Sequence, residues 1–320
     1  MDGMVRFARL TALLGAVSLL AACGAGSGGP GATAGAASSS STASGSGGEP
    51  IAVVASTNVW GDIAAQIGGS RVTVISLIHD LSQDAHSFEP SGRDELAVSR
   101  AKVVIVNGGG YDDFLDQMLH AVSPRPTVVN AVTVASAAVK IDPDNEHIWF
   151  DLEAVGAVAQ AIERALTQAD PAGRADFESA EAEFISGLAP IRQALDRIAQ
   201  RDRQAPITVT EPLPLYLTAA AGLKNVMPAS FSDAVEEGID VAPSEMAGVL
   251  TLFTDHRVRL LVYNEQSTSA QTTQVLAAAK SNGIPVLSLT EIIPAGEHYQ
   301  QWMAGIVESL GTMLAQRAGP

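Results

Sequence analysis

The sequence predicts an α/β protein of two lobes, each a mainly parallel sheet flanked by helices, joined by one long rigid helix. Three observations carry that expectation. Short Val/Ile-rich runs alternate with stretches of helical spacing, the alternation occurs twice, and a long amphipathic run separates its two occurrences. Strands covered by helices on both faces read as continuous apolar runs, which is the pattern seen here.

In the first lobe the strand-like runs are residues 51–56, 72–78, 103–107 and 127–130. Phe177, Phe184, Leu188, Ile191, Leu195 and Ile198 then recur at steps of seven, four and three, the stripe of one amphipathic helix over residues 176–203. Pro190 lacks an N–H and is where this helix would kink. A helical joint restricts relative motion, so small lobe movements are expected in place of wide hinge closure. In the second lobe residues 207–210, 259–263 and 285–289 are strand-like. Residues 268–282, closed by Gly283, supply the helix that crosses over between the last two.

The amino terminus has a different character. Arg6 and Arg9 precede an apolar run at 10–20, shorter than the ~20 residues a membrane-spanning helix needs, so residues 1–22 read as a signal peptide. Leu20-Ala21-Ala22-Cys23 matches a bacterial lipobox, and Cys23, the only cysteine, is expected to carry a lipid that anchors the chain on the extracytoplasmic face of the membrane. The rest of segment 23–49 is almost wholly Gly, Ala, Ser and Thr, a flexible tether of about 25–30 Å end to end. Domain boundaries follow as 50–172 for the first lobe, 173–203 for the linking helix and 204–320 for the second lobe. The formal net charge of −16 repels nucleic acid and favours cations.

Functional groups in open parallel sheets collect in loops leaving the carboxyl ends of the strands. His86 stands in Asp84-Ala85-His86-Ser87-Phe88-Glu89-Pro90, after the strand ending at Ile78. His147 stands in Asn145-Glu146-His147-Ile148-Trp149-Phe150-Asp151, ahead of a helix that Asp151 would cap. Glu211 and Glu291 follow directly on strands of the second lobe. Two imidazoles from one lobe and two carboxylates from the other make a four-ligand set for a divalent cation such as manganese, zinc or ferrous iron. Each has an ordinary alternative: Glu211 could shape the turn before Pro212, and Glu291 could cap a helix starting near Ile292. His79, His120, His256 and His298 read as surface or structural residues, and the pairs Asp112-Asp113 and Glu236-Glu237 as solvated faces.

These two histidine loops, with Ala55-Ser56-Thr57-Asn58-Val59-Trp60, Ile67-Gly68-Gly69 and Val106-Asn107-Gly108-Gly109, resemble the zinc and manganese solute-binding lipoproteins of ABC importers, the cluster A-I, TroA-like metal-binding family. The resemblance runs from about residue 51 to 314. It implies two α/β lobes with metal in the cleft between them, and a bound Zn2+ or Mn2+ as the transported ligand, passed to an importer permease. It also implies His86, His147 and Glu211 as ligands. Most members place the fourth in a Leu-Asp-Pro-Leu type segment. Here the chain reads Leu289-Thr290-Glu291-Ile292, so either Glu291 takes that role by a one-residue shift or the position is lost, with Glu265 as the reserve candidate. The family's His-His-Glu-carboxylate sets lean toward manganese.

A metal-dependent hydrolase would need an open coordination position and a general acid or base, and the sequence carries no His-Glu-x-x-His or Gly-x-Ser-x-Gly. A receptor for a chelated metal would need a larger pocket lined by aromatics or Arg. The expectation is therefore a monomeric, non-enzymatic receptor for a bare ion.

Overall fold

The computed structural model describes residues 49–83 and 87–316. The expected signal peptide, Cys23, all but the last residue of the tether, and His86 lie outside the described residues.

The chain runs β1 (Ile51–Thr57), α1 (Asn58–Gly68), β2 (Val72–Ile78), α2 (Gly92–Arg100), β3 (Val103–Val106), α3 (Asp113–His120), β4 (Thr127–Asn130), α4 (Ala131–Ala138), α5 (Leu152–Ala169), α6 (Arg174–Gly187) and α7 (Ala189–Arg201). It continues β5 (Pro206–Val209), α8 (Leu215–Ala220), β6 (Lys224–Asn225), α9 (Ala229–Glu236), α10 (Pro243–Thr254), β7 (Leu260–Asn264), α11 (Ala270–Ser281), β8 (Val286–Leu289) and α12 (Tyr299–Gln316). The strands form two four-stranded sheets, ordered β2-β1-β3-β4 and β6-β5-β7-β8. Every pairing in both is parallel.

In each sheet the chain steps to one side of its first strand and then crosses to the other. This creates a switch point between β1 and β3, and another between β5 and β7. Loops leaving neighbouring strand ends at such a point diverge and open a crevice. Strands β3 and β7 are buried along their whole length, as expected of apolar runs covered on both faces. Strand β6 was not foreseen: it is only two residues, both polar, and carries no periodicity to read.

The predicted linking helix is present with one interruption. The i→i−4 ladder lapses at Leu188, whose backbone stays helical (φ −78°, ψ −20°), and resumes with the N–H of Arg192 donating to the Leu188 carbonyl at 3.1 Å. Pro190 accounts for the lapse, since it has no N–H for the preceding turn. All six apolar residues of the predicted stripe are buried, between 0% and 4% exposed. They join one apolar cluster running from β1 through α5–α7 to β5, β7 and α12. At roughly 1.5–3 kcal/mol per buried large side chain, this continuous core resists separation of the two sheets at the linking helix.

A second joint lies on α1. Asn58, Asp62 and Gln66 are spaced i, i+4 and i+8, so they form one polar stripe. Asn58 exchanges two hydrogen bonds with the backbone of Ile293, at 2.7 and 3.0 Å. Asp62 accepts from the N–H of Tyr299 and contacts Nδ1 of His298 at 2.6 Å, and Gln66 donates to Gln300. The loop carrying Glu291 is thereby fixed from the first sheet's side. No helix among the described residues is long and apolar enough to cross a membrane.

Candidate metal centre

His147 opens a 3-10 turn, Ile148–Phe150, which ends at Asp151, the N-cap of α5. Asp151 accepts from the N–H groups of Glu153 and Ala154, as the sequence suggested. The imidazole is 1% exposed and packs edge-on against Tyr111 and Trp149, with ring centroids 5.9 and 5.1 Å away. Its Nδ1 lies 3.0 Å from Oδ1 of Asn145, and the Asn145 amide donates to the Pro212 carbonyl at 3.1 Å. The Asn145 amide orientation this assigns makes its Oδ1 an acceptor. His147 Nδ1 therefore carries the proton, and in the neutral ring Nε2 holds the lone pair a metal would use. One side chain orients the histidine and ties it to the residue after Glu211.

The carboxylates come from the second sheet. Glu211, two residues past β5, is 3% exposed, and Glu291, two residues past β8, is 8% exposed. Both accept from one donor, the amide of Asn264 at the end of β7, which lies 2.8 Å from Glu291 Oε1 and is also bonded to Glu211 Oε2. Tyr111, from the loop after β3, donates to Glu291 Oε2 at 2.9 Å. Gln266 accepts from the Glu291 N–H at 2.7 Å and donates to the carbonyls of Leu81 and Gln83, in the loop that leads to His86.

Crowding burial and charge together shifts these groups. Burial pushes the Glu211 carboxyl from its ordinary 4.5 up to about 8. The Glu236 carboxylate adds to the rise and Glu291 contributes less, while hydrogen bonds from Ser267 and Asn264 oppose it. The Tyr111 hydroxyl is raised well above 10, first by burial and then by Glu291. Burial and neighbouring acids therefore disfavour the charged form of Glu211.

Two expectations need correction here. Glu236 is not on a solvated face: at the end of α9 its side chain is 16% exposed, and Oε1 lies 3.3 Å from His147 Nε2. Glu146, His147 and Glu236 each bring a ligand atom within 4.8 Å of the other two. Asp112 is buried at 2% and caps the backbone N–H groups of Asn107 and Gly108 at 2.6 and 2.8 Å. The reason is the glycine turn at 108–110, whose positive φ angles of 77°, 71° and 96° fold the chain back onto Asp112. The helix that Glu291 could have capped does not exist, because the next helix begins only at Tyr299.

Of the predicted ligands, His147, Glu211 and Glu291 are each buried and are linked through Tyr111, Asn145 and Asn264, while His86 lies outside the described residues. Glu265 is exposed. Sequence reasoning missed Glu236, Tyr111, Asn145, Asn264 and Gln266. Only Asn145 carried a signal, its place two residues before His147.

A family model described as "ZnuA: Zinc-uptake complex component A periplasmic" matches residues 53–313. The chain is 25% identical over 185 residues to the manganese-binding lipoprotein MntA of Halalkalibacterium halodurans, covering 56% of this chain and 60% of that relative. Among solved structures, a crystal structure of ZnuA superposes with a TM-score of 0.69 at 19% identity, covering 82% of this chain and 99% of that one. FpvC of Pseudomonas aeruginosa in complex with Mn2+ superposes with a TM-score of 0.68 at 19% identity, covering 84% and 99%. At these identities the structural likeness speaks for the fold.

Proposed function

We propose, because this chain belongs to the ZnuA family of periplasmic zinc-uptake components, that it is an extracytoplasmic receptor which captures a bare divalent transition metal, manganese or zinc, and delivers it to an ABC importer permease. The observation that supports the reading is a chain of contacts across the two sheets: Tyr111 packs on His147 and donates to Glu291, Asn145 joins His147 to the Pro212 carbonyl beside Glu211, and Asn264 bonds both buried carboxylates. Donors from both sides of a cleft suit reversible capture. The ion binds the closed arrangement more tightly than the open one, and release follows when a partner separates the two sides.

The ligand set is His86, His147, Glu211 and Glu291, with residues 50–172 and 204–320 as lobes on either side of the linking segment 173–203. The continuous core across that segment supports small movements between them. The described donors, His147, Glu211 and Glu291, are only 1–8% exposed, and with Tyr111 and Trp149 packed beside the imidazole they suit a single ion better than a chelate. A tether of the length read from the sequence, with a lipid on Cys23, would hold a monomeric receptor within reach of a permease. No catalytic role is proposed, since the family is one of metal-uptake components.

The test is elemental analysis of untagged protein, followed by titration of manganese and zinc into metal-free protein and into His86→Ala and His147→Ala. One ion per chain, lost in both variants, is the expected result. No metal in the parent, or full binding by both variants, rejects the reading.

A further inference from the structure

We propose that Glu236 is an additional metal donor, and that this third carboxylate, by raising the coordination number and the share of oxygen ligands, makes the site select manganese over zinc. The inference rests on the receptor reading above and names its cargo.

The geometry is that of two donors on one ion. Bonds of about 2.1 Å meeting near 105° place their donor atoms about 3.3 Å apart, and Glu236 Oε1 stands 3.3 Å from His147 Nε2. That nitrogen is the one left for a metal once Nδ1 is committed to Asn145. Glu236 also acts on the other side of the site, since its charge is the largest electrostatic influence on Glu211. One carboxylate therefore stands beside the imidazole and its charge also raises the buried glutamate.

Position on α9 points the same way. Glu236 is the last residue of that helix, and the chain turns away at Gly238, whose φ is +67°. A carboxylate at a helix C-terminus meets the negative end of the helix dipole, an unfavourable placement that a bound cation reverses. Asp233, one turn earlier on α9, is raised above its ordinary value by burial and then by Glu237, Asp144, Glu236 and Asp142, so the whole helix end sits in a negative field. Among these acids Glu236 is the one whose oxygen reaches His147.

Selectivity follows from coordination preference. Zinc binds most divalent sites more tightly than manganese, so a manganese receptor must use geometry and ligand type. Two imidazoles and two carboxylates supply four donors, a set that leans toward manganese in the family but that zinc can also fill. A third carboxylate opens five- or six-coordinate, oxygen-rich geometry that suits manganese.

The experiment uses the full chain, manganese(II) and zinc(II) in competition with a chelating dye, and metal-edge X-ray absorption on parent, Glu236→Gln and Asp233→Asn. Asp233→Asn removes the same charge from the same helix without removing the donor. Expected are more than four ligands around manganese in the parent, one fewer in Glu236→Gln, a drop in manganese affinity of ~10-fold or more, and a zinc change under ~3-fold. Asp233→Asn should keep the parent's shell. An unchanged shell in Glu236→Gln, equal losses for both metals, or the same effect from Asp233→Asn overturns the assignment while leaving the receptor reading standing. A parent that binds neither ion removes both.

Discussion

The hydroxyl of Tyr111 donates to Oε2 of Glu291 at 2.9 Å, a buried hydrogen bond that joins a loop of the first sheet to a loop of the second. Burial and the carboxylate both raise the phenol well above its ordinary value, so it stays protonated at neutral pH. It therefore acts as a fixed donor, holding Glu291 in place.

Tyr111→Phe keeps the ring that packs on His147 and Trp149 and removes only this donor. A hydrogen bond to a charged group is worth about 1.5–3 kcal/mol. Metal-free Tyr111→Phe should lose about that much stability in urea unfolding. A loss under about 0.5 kcal/mol would show that Glu291 does not depend on the phenol.

Glu211, raised by burial to about 8, gives the metal-free protein a pH signature. The folded state binds more protons here than the unfolded state. The group therefore stabilises the fold fully below its ordinary 4.5, and that contribution is lost progressively as pH rises to about 8. Glu211→Gln should flatten this slope in denaturation curves taken across that window.

The same group couples metal to protons. At pH 7 the Glu211 carboxyl of the metal-free protein is mainly protonated, so binding must expel that proton. Calorimetric enthalpies of metal binding should vary with the ionisation enthalpy of the buffer, and affinity should rise as pH increases toward 8. Buffer-independent enthalpies would contradict the assignment.

Asn145 acts through His147. Asn145→Ala leaves the imidazole without the partner that fixes its tautomer, and the Pro212 carbonyl without its donor. Metal affinity should fall ~10–100-fold, as is typical for partners of ligating histidines, with the fold retained. Parent-like affinity in a dialysis titration would show that the histidine is oriented by other contacts.

Asn264→Asp replaces the amide shared by Glu211 and Glu291 with a third acid. Unfolding with a chelator present should show a loss of about 3–5 kcal/mol at pH 7, most of it recovered on adding manganese. Equal losses with and without metal would place the effect outside the site.

Much of this was legible because periodicity is local. The apolar runs that became β1–β4, β5, β7 and β8, and the stripe from Phe177 to Ile198, announce themselves within a few residues. His147, Glu211 and Glu291 were singled out because a strand end, or a loop of distinctive residues, is where functional groups collect in such sheets. Glu236 was not, because Glu236 and Glu237 are the same residue at the same helix end, and only the packing of α9 turns one inward and leaves the other exposed. Tyr111, Asn264 and Gln266 were hidden for a related reason. Their role depends on the strand orders β2-β1-β3-β4 and β6-β5-β7-β8, which set loops distant in sequence beside each other.

The most direct measurement is anomalous diffraction from a crystal of the full chain loaded with manganese. A single peak about 2–2.3 Å from both His147 Nε2 and a Glu211 oxygen is the predicted result. A peak that touches residues of only one sheet, or no peak near His147, would contradict the account.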